Sequence, residues 1–176
     1  LEADVVVATE AALAEIERPR ISTAIALGVD ALLLRPQGRA VEEAFAALWT
    51  LGGLVGARGA GGRLLLETGT PEHHVVQALT RGDFRFFAAR ELEARRRTAS
   101  PPFRRLIRVS SPEATLDGLD TLRALPGTLV LGPVPTGRGT EVLLKVEELE
   151  PLLAPLRELV SASRQRLLVE VDVRDW

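Results

Sequence analysis

The strongest constraint lies in the order of apolar runs and chain breakers from Phe103 onward. Phe103 to Ser110 reads as a strand. Ser111-Pro112-Glu113 opens a helix carrying Leu116, Leu119 and Leu122, which Pro126-Gly127 stops. Leu129 to Leu131 is a strand, and Gly132-Pro133-Val134-Pro135-Thr136-Gly137 a rigid turn region. Glu141 to Val146 is a strand. Leu149, Leu152, Leu153, Leu156 and Val160 then mark a helix to about Ser163. Pro155 fits that helix only if it begins near Leu152, because an interior proline costs about 3 kcal/mol. Leu167, Val169, Val171 and Val173 alternate in a last strand. The order β-α-β-β-α-β predicts an antiparallel sheet with both helices on one face, ferredoxin-like in outline.

Upstream the pattern is alternating α/β. Asp4 to Ala8 reads as a short strand, and Ile21 to Leu34 holds strand-like runs around Gly28. Arg39 to Thr50 is a helix with Val41, Ala44, Phe45 and Leu48 on one stripe, and Arg63 to Thr68 is a strand. The glycine-rich run from Gly52 to Gly62 between them suits either a phosphate cradle or a plain loop, and glycine spacing does not choose. Thr70-Pro71-Glu72 starts a helix that Arg81-Gly82 breaks. Asp83 caps a second helix to about Arg97, with Phe84, Phe87, Ala88 and Leu92 as its buried stripe and Glu91 positioned to pair with Arg95. Ser100-Pro101-Pro102 reads as an extended connector.

Composition narrows the chemistry. No run approaches the roughly 18 apolar residues of a membrane span, and no signal peptide opens the chain, so a cytoplasmic location without membrane partners is expected. Cysteine is absent, which excludes disulfides and thiolate metal sites. The two histidines, His73 and His74, are neighbours without metal-ligand spacing and suit a loop or helix start. Methionine is absent too, so a fragment of a longer protein is expected. The net charge of −2 gives no global pull toward nucleic acid. Locally, Arg81 to Arg108 holds nine arginines against Asp83, Glu91 and Glu93, a net of +6, whereas Glu141 to Trp176 holds eight acids against five bases, a net of −3. The basic segment is a candidate electrostatic footprint for nucleic acid, or a solvated face in an arginine-rich chain.

Gly82-Asp83-Phe84, Phe87, Glu91-Leu92, Arg95, Pro101-Pro102-Phe103 and Leu106 follow a D-[YF]-x-x-F, E-L-x-x-R, Y-P-P-F-x-x-L pattern, with Ser100 in place of the tyrosine. Leu131-Gly132-Pro133-Val134-Pro135, Leu143-Leu144-Lys145 and Val169-Glu170-Val171-Asp172 continue it in order, and Thr70-Pro71-Glu72-His73 and Val76-Gln77-Ala78-Leu79 precede it. Collinear over essentially the whole chain, these motifs resemble the bacterial primosomal replication-restart family PriA. The resemblance implies that residues 1–71 are the degenerate end of a RecA-like second helicase lobe. It implies that residues 72–176 are a C-terminal DNA-binding domain, giving an α/β and α+β chain. Branched or single-stranded DNA, single-stranded-DNA-binding protein and other primosome proteins are the partners it implies.

Departures from the family qualify that reading. Motif V, G-T-Q-M-L-x-K-G, keeps only Thr9 among Ala8 to Glu15. Motif VI, Q-V-A-G-R-A-G-R, has Leu54 and Ala57 in place of its arginines, with Arg58 one residue late. An arginine finger contributes about 10³- to 10⁵-fold in rate, so no ATP-driven helicase activity and no catalytic residue are expected in this chain. No cofactor is expected either, since the family's zinc site and first ATP motifs lie upstream. The basic hairpin after L-G-P-x-P shrinks to Thr136-Gly137-Arg138-Gly139-Thr140, and Glu147-Glu148-Leu149-Glu150-Pro151 is acidic where the family places an arginine and a glutamine for single-stranded-DNA-binding protein. The DNA-contact candidates are Arg90, Arg96, Arg97, Arg104, Arg105, Arg108, Arg138 and Lys145. For Lys145, after two leucines in a strand, structural and phosphate-contact roles are both open. The alternative function is a ferredoxin-like ligand-binding or protein-interaction module without nucleic acid.

Overall fold

A computed structural model describes residues 5–14, 21–164 and 166–173, so Asp4 and Glu15 lie outside the described residues. The elements are β1 (Thr23–Ala26), α1 (Val29–Leu33), α2 (Ala40–Leu54), β2 (Arg63–Leu66), α3 (His74–Arg81), α4 (Phe84–Arg97), β3 (Arg105–Ser111), α5 (Leu119–Arg123), β4 (Thr128–Thr136), β5 (Gly139–Val146), α6 (Glu150–Ala162) and β6 (Leu168–Val171). They form a mixed α/β chain of two compact units, divided within α4 between Arg90 and Glu91.

In the first unit β1 and β2 pair in parallel, from Thr23 opposite Arg63 to Ala26 opposite Leu66, with α1 and α2 as the crossover between them. The core gathers Val29, Leu33, Ala44, Phe45, Leu48, Val75, Val76, Ala78 and Phe87. The stripe read from the helical period in α2 is therefore the buried one, and the helix runs on to Leu54. Several local expectations are corrected. Val5 to Ala8 is not a strand, having no paired neighbour among the described residues, and Val5, Val6 and Val7 are exposed. A strand needs its backbone groups paired with a neighbour, and these have none among the described residues. After Gly28, at φ 65, the second apolar run becomes α1 instead of continuing a strand. Thr70 does not cap α3: the His73 ring accepts from the Val75 amide at 3.3 Å, while the Thr70 hydroxyl donates to Asp30. Gly82, at φ 66, ends α3 and the Asp83 carboxylate caps α4 by accepting from the Phe86 amide at 3.0 Å.

The inward stripe of α4 also differs. Phe87 is buried, but Phe84 and Leu92 are exposed, and the residues that turn inward at four-residue spacing after Phe87 are Glu91 and Arg95. A buried ion pair reads as polar in a hydropathy pattern, so the pattern put the stripe on the wrong neighbours.

The second unit follows the order β3-α5-β4-β5-α6-β6, with a fully antiparallel sheet ordered β4-β5-β3-β6. Ile107 and Val109 on β3 face the same side as Val142, Leu144 and Val146 on β5, and there meet Leu116, Leu119, Leu122, Leu152 and Leu156. Both helices thus cover one face, as the sequence order predicts. α5 is far shorter than expected: it begins after Gly118, at φ 80, and Leu116 reaches the core from the preceding loop. The turn region after Leu131 is instead strand, since Val134, Pro135 and Thr136 pair with Glu141, Thr140 and Gly139 beyond a bulge at Gly132-Pro133. Both prolines are tolerated because β4 is an edge strand with β5 on one side only. α6 begins at Glu150, not near Leu152, and holds Pro155 inside it. The burial of Leu152 and Leu156 offsets the missing hydrogen bond. Ser100 to Phe103 is a turn, closed by Phe103 N–H to the Ser100 carbonyl at 3.0 Å, not an extended connector.

Candidate nucleic-acid interface

The register of the four-stranded sheet divides the basic segment in two. Its strand half is neutralised from within the second unit. Arg104 donates to the Gly127 carbonyl and to Glu147. Arg105 makes a two-pronged pair with Asp172, which raises the arginine's pKa and lowers the carboxyl's. Arg108 lies directly across from Glu170 on β6, 3.4 Å away, and reaches Glu141 on β5 at 3.7 Å. All four acids, Glu141, Glu147, Glu170 and Asp172, come from the acidic segment that begins at Glu141. The +6 and −3 segments of the sequence thus meet where β3 lies between β5 and β6, and three of the nine arginines are paired there.

Lys145 is buried. Its ammonium donates to the Thr98 carbonyl at 2.9 Å and to the Ser100 hydroxyl at 3.2 Å, and burial pushes its pKa down. Beside this knot Arg95 donates to Glu91 at 2.8 Å and to the Pro101 carbonyl at 3.0 Å. The conspicuous motif residues Glu91, Arg95, Ser100, Pro101 and Lys145 thus share one polar joint that ties the end of α4 to β5.

The helix half faces outward. Arg85, Arg90, Arg96 and Arg97 are exposed on α4. Arg96 lies over the Phe103 ring at 4.7 Å, and Arg90 over Phe86 at 5.6 Å. Arg85 and Arg97 have no ion-pair partner among the described residues. Arg138 stands exposed in the β4–β5 turn. Arg90, Arg96 and Arg97 are thereby carried along one helix, while Arg104, Arg105, Arg108 and Lys145 are held by partners in their own unit. Arg85 was missed because a single arginine between phenylalanines carries no motif. The acidic partners were missed because cross-strand pairing needs the register.

The positions of the helicase motifs are occupied structurally. Glu10 pairs with Arg35 at 2.6 Å, and the Thr50 hydroxyl bonds back to the Ala46 carbonyl. Leu54 ends α2. The glycine run closes on itself: the Gly56 amide donates to Ile21, and the Ala60 and Gly62 amides both donate to the Ala57 carbonyl. A methyl group at Gly62 would collide with the Gly56 carbonyl, so glycine is needed there for backbone packing. Arg58's side chain lies outside the described residues. No group of three or more metal-ligating side chains occurs among the described residues, and no described helix is long and apolar enough to cross a membrane.

The structure therefore defines a mixed α/β chain whose outward arginines follow a helix. Set against known proteins, the chain is similar to the replication restart protein PriA of Thermotoga maritima, 29% identical over 97% of this chain and 25% of the relative. The PriA of Synechocystis is 25% identical over 98% of the chain and 23% of the relative, and that of Treponema pallidum 37% identical over 45% and 12%. The matched region is the C-terminal part of these proteins. The chain spans about a quarter of the length of the relatives that match it throughout. No family model matches it.

Proposed function

We propose that this chain is a DNA-binding portion of a replication-restart protein, attached to phosphates through α4 and without a motor of its own. The carrying observation is the exposure of Arg85 and Arg90 in the first unit and of Arg96 and Arg97 in the second, together with a resemblance that runs collinearly through nearly the whole chain. Arginines on a helix surface meet phosphates without reading bases, so binding is sequence-independent and salt-sensitive. Forks present phosphates in more directions than a linear duplex, which favours branched DNA. The test is a salt titration on forked and linear duplex. Arg85→Ala, Arg96→Ala and Arg97→Ala together weaken binding to all sequences alike, and the salt slope falls by about 0.9 for each duplex phosphate no longer neutralised. Arg105→Ala, which removes only an internal pair, leaves it unchanged. Absence of binding at low salt would move the reading to a protein-interaction module.

The reading includes no ATP turnover by this chain. Leu54 and Ala57 stand where charge-neutralising arginines are needed, and the motif V stretch offers Thr9 alone. Restoring Leu54→Arg and Ala57→Arg leaves DNA-stimulated ATP hydrolysis undetectable. Appreciable hydrolysis by the unaltered protein is the result that sinks this part of the proposal.

A further inference from the structure

The end of α4 treats its last two arginines differently. Ala99 adopts a left-handed conformation, φ 47, and the amides of Ala99 and Ser100 fold back onto the Arg96 and Arg95 carbonyls at 3.3 Å and 2.9 Å. A left-handed residue in this place ends a helix and reverses the chain. Pro101 and Pro102 restrict the path that follows, and the Phe103 amide closes the turn on the Ser100 carbonyl at 3.0 Å. Buried groups hold the turn in place: Lys145 donates to the Thr98 carbonyl and the Ser100 hydroxyl, and Arg95 donates to the Pro101 carbonyl. The reversal brings the half-buried Phe103 ring under the Arg96 guanidinium, 4.7 Å from ring centroid to cation. Both residues belong to the second unit.

The contact matters for what it leaves unused. Arg104 and Arg105 are oriented by a carbonyl and by carboxylates, and those partners occupy N–H groups that a phosphate would need. An aromatic face attracts a cation through its quadrupole and takes none of the guanidinium's N–H donors. Arg96 is exposed, and among the described residues no protein acceptor meets its side chain. Arg97 is exposed as well, but no ring underlies it among the described residues. Arg96 is therefore oriented and still has its donors to give, whereas Arg97 is left to sample its rotamers. A side chain placed before its ligand arrives surrenders less freedom on binding, and the planar fork of a guanidinium matches the paired oxygens of a phosphate.

We infer that Phe103 is a positioning residue, whose ring holds the Arg96 guanidinium so that its N–H fork meets a backbone phosphate of DNA. The inference rests on the DNA-binding reading above and adds to it an arginine whose geometry is set before the DNA arrives.

The test is a double-mutant cycle in the whole chain, read as affinity for a labelled linear duplex at low salt. Phe103→Leu keeps an apolar side chain and removes the π face, and it weakens binding about two- to fivefold. In an Arg96→Ala background the same change has no further effect, while in an Arg97→Ala background its full effect remains. Phe103→Tyr, which keeps the face, binds as wild type does. Arg96→Ala lowers the salt slope by about 0.9, but Phe103→Leu leaves the slope unchanged, because the phosphate is still neutralised once the arginine has been ordered. The wild-type protein gives a reading that does not depend on how Phe103→Leu folds: the Arg96 side-chain protons show an upfield ring-current shift by NMR, and keep it when duplex is added. Equal losses from Phe103→Leu with and without Arg96 overturn the positioning role and leave DNA binding intact. Absence of the ring-current shift, or wild-type affinity in Arg96→Ala, overturns it in the same way. No binding of the unaltered chain to any DNA at low salt overturns both readings together.

Discussion

Single side chains show how local surroundings change a residue's titration. Asp30 accepts from the Thr68 hydroxyl at 2.5 Å, the Gly69 amide at 2.7 Å and the Thr70 hydroxyl at 2.7 Å, and these donors hold its carboxyl below its ordinary value. A depressed folded-state pKa contributes stability above the unfolded value and loses it as pH falls through the folded one. Asp30→Asn is therefore expected to lower stability to urea at pH 7, with the gap to wild type narrowing as pH is taken below 3.8. Lys145 behaves oppositely. Burial lowers its pKa, so the unfolded chain keeps the proton to higher pH, and wild-type stability rises relative to Lys145→Met as pH climbs toward 10.5. At neutral pH Lys145→Met is expected to cost about 1–3 kcal/mol, through the partners left at Thr98 and Ser100. Denaturant titrations across the two pH ranges check both.

At the scale of elements, close backbone approaches set the sensitive positions. Gly62 packs on the Gly56 backbone, and Gly139, at φ 128, on the Ser111 carbonyl. Gly62→Ala is expected to destabilise the first unit and Gly139→Ala the second, each by about 1–3 kcal/mol, whereas Gly53→Ala, with open space around it in α2, is neutral or mildly stabilising. Thermal melts of the three variants make the comparison. The strands and long helices were legible because hydrophobic period and breakers act locally: α2, β3, β5 and α6 all fall where the pattern puts them, to within a few residues. The strand state of Val134 to Thr136 was not legible, because prolines read as turn until an edge position makes their missing amides harmless. The α4 stripe was misread because the chain buries Glu91 with Arg95 and leaves Phe84 outside.

For the whole molecule, the division within α4 carries a consequence. Val75, Val76, Ala78 and Phe87 belong to the core of Val29, Phe45 and Leu48. A fragment of residues 72–176 thus exposes an apolar surface that the sequence boundary near Thr70 assigned to the second domain. It is expected to aggregate or to be trimmed by limited proteolysis toward α4, while one beginning at Asp83, which retains only Phe87 of that buried set, keeps Glu91, Arg95 and the whole four-stranded sheet and is expected to be the more soluble of the two in sedimentation. A 72–176 fragment that is equally soluble and two-state would restore the boundary near Thr70. The sequence alone determined the order of strands and helices in the second unit, that both of its helices cover one face of the sheet, and which motif arginines are missing, because each of these depends on residue type at local spacing. Only the tertiary structure decided which arginines face outward. A guanidinium's availability depends on the acid across the strand, and Arg105 next to Asp172 or Arg108 next to Glu170 are neighbours only after some sixty residues of chain have folded back.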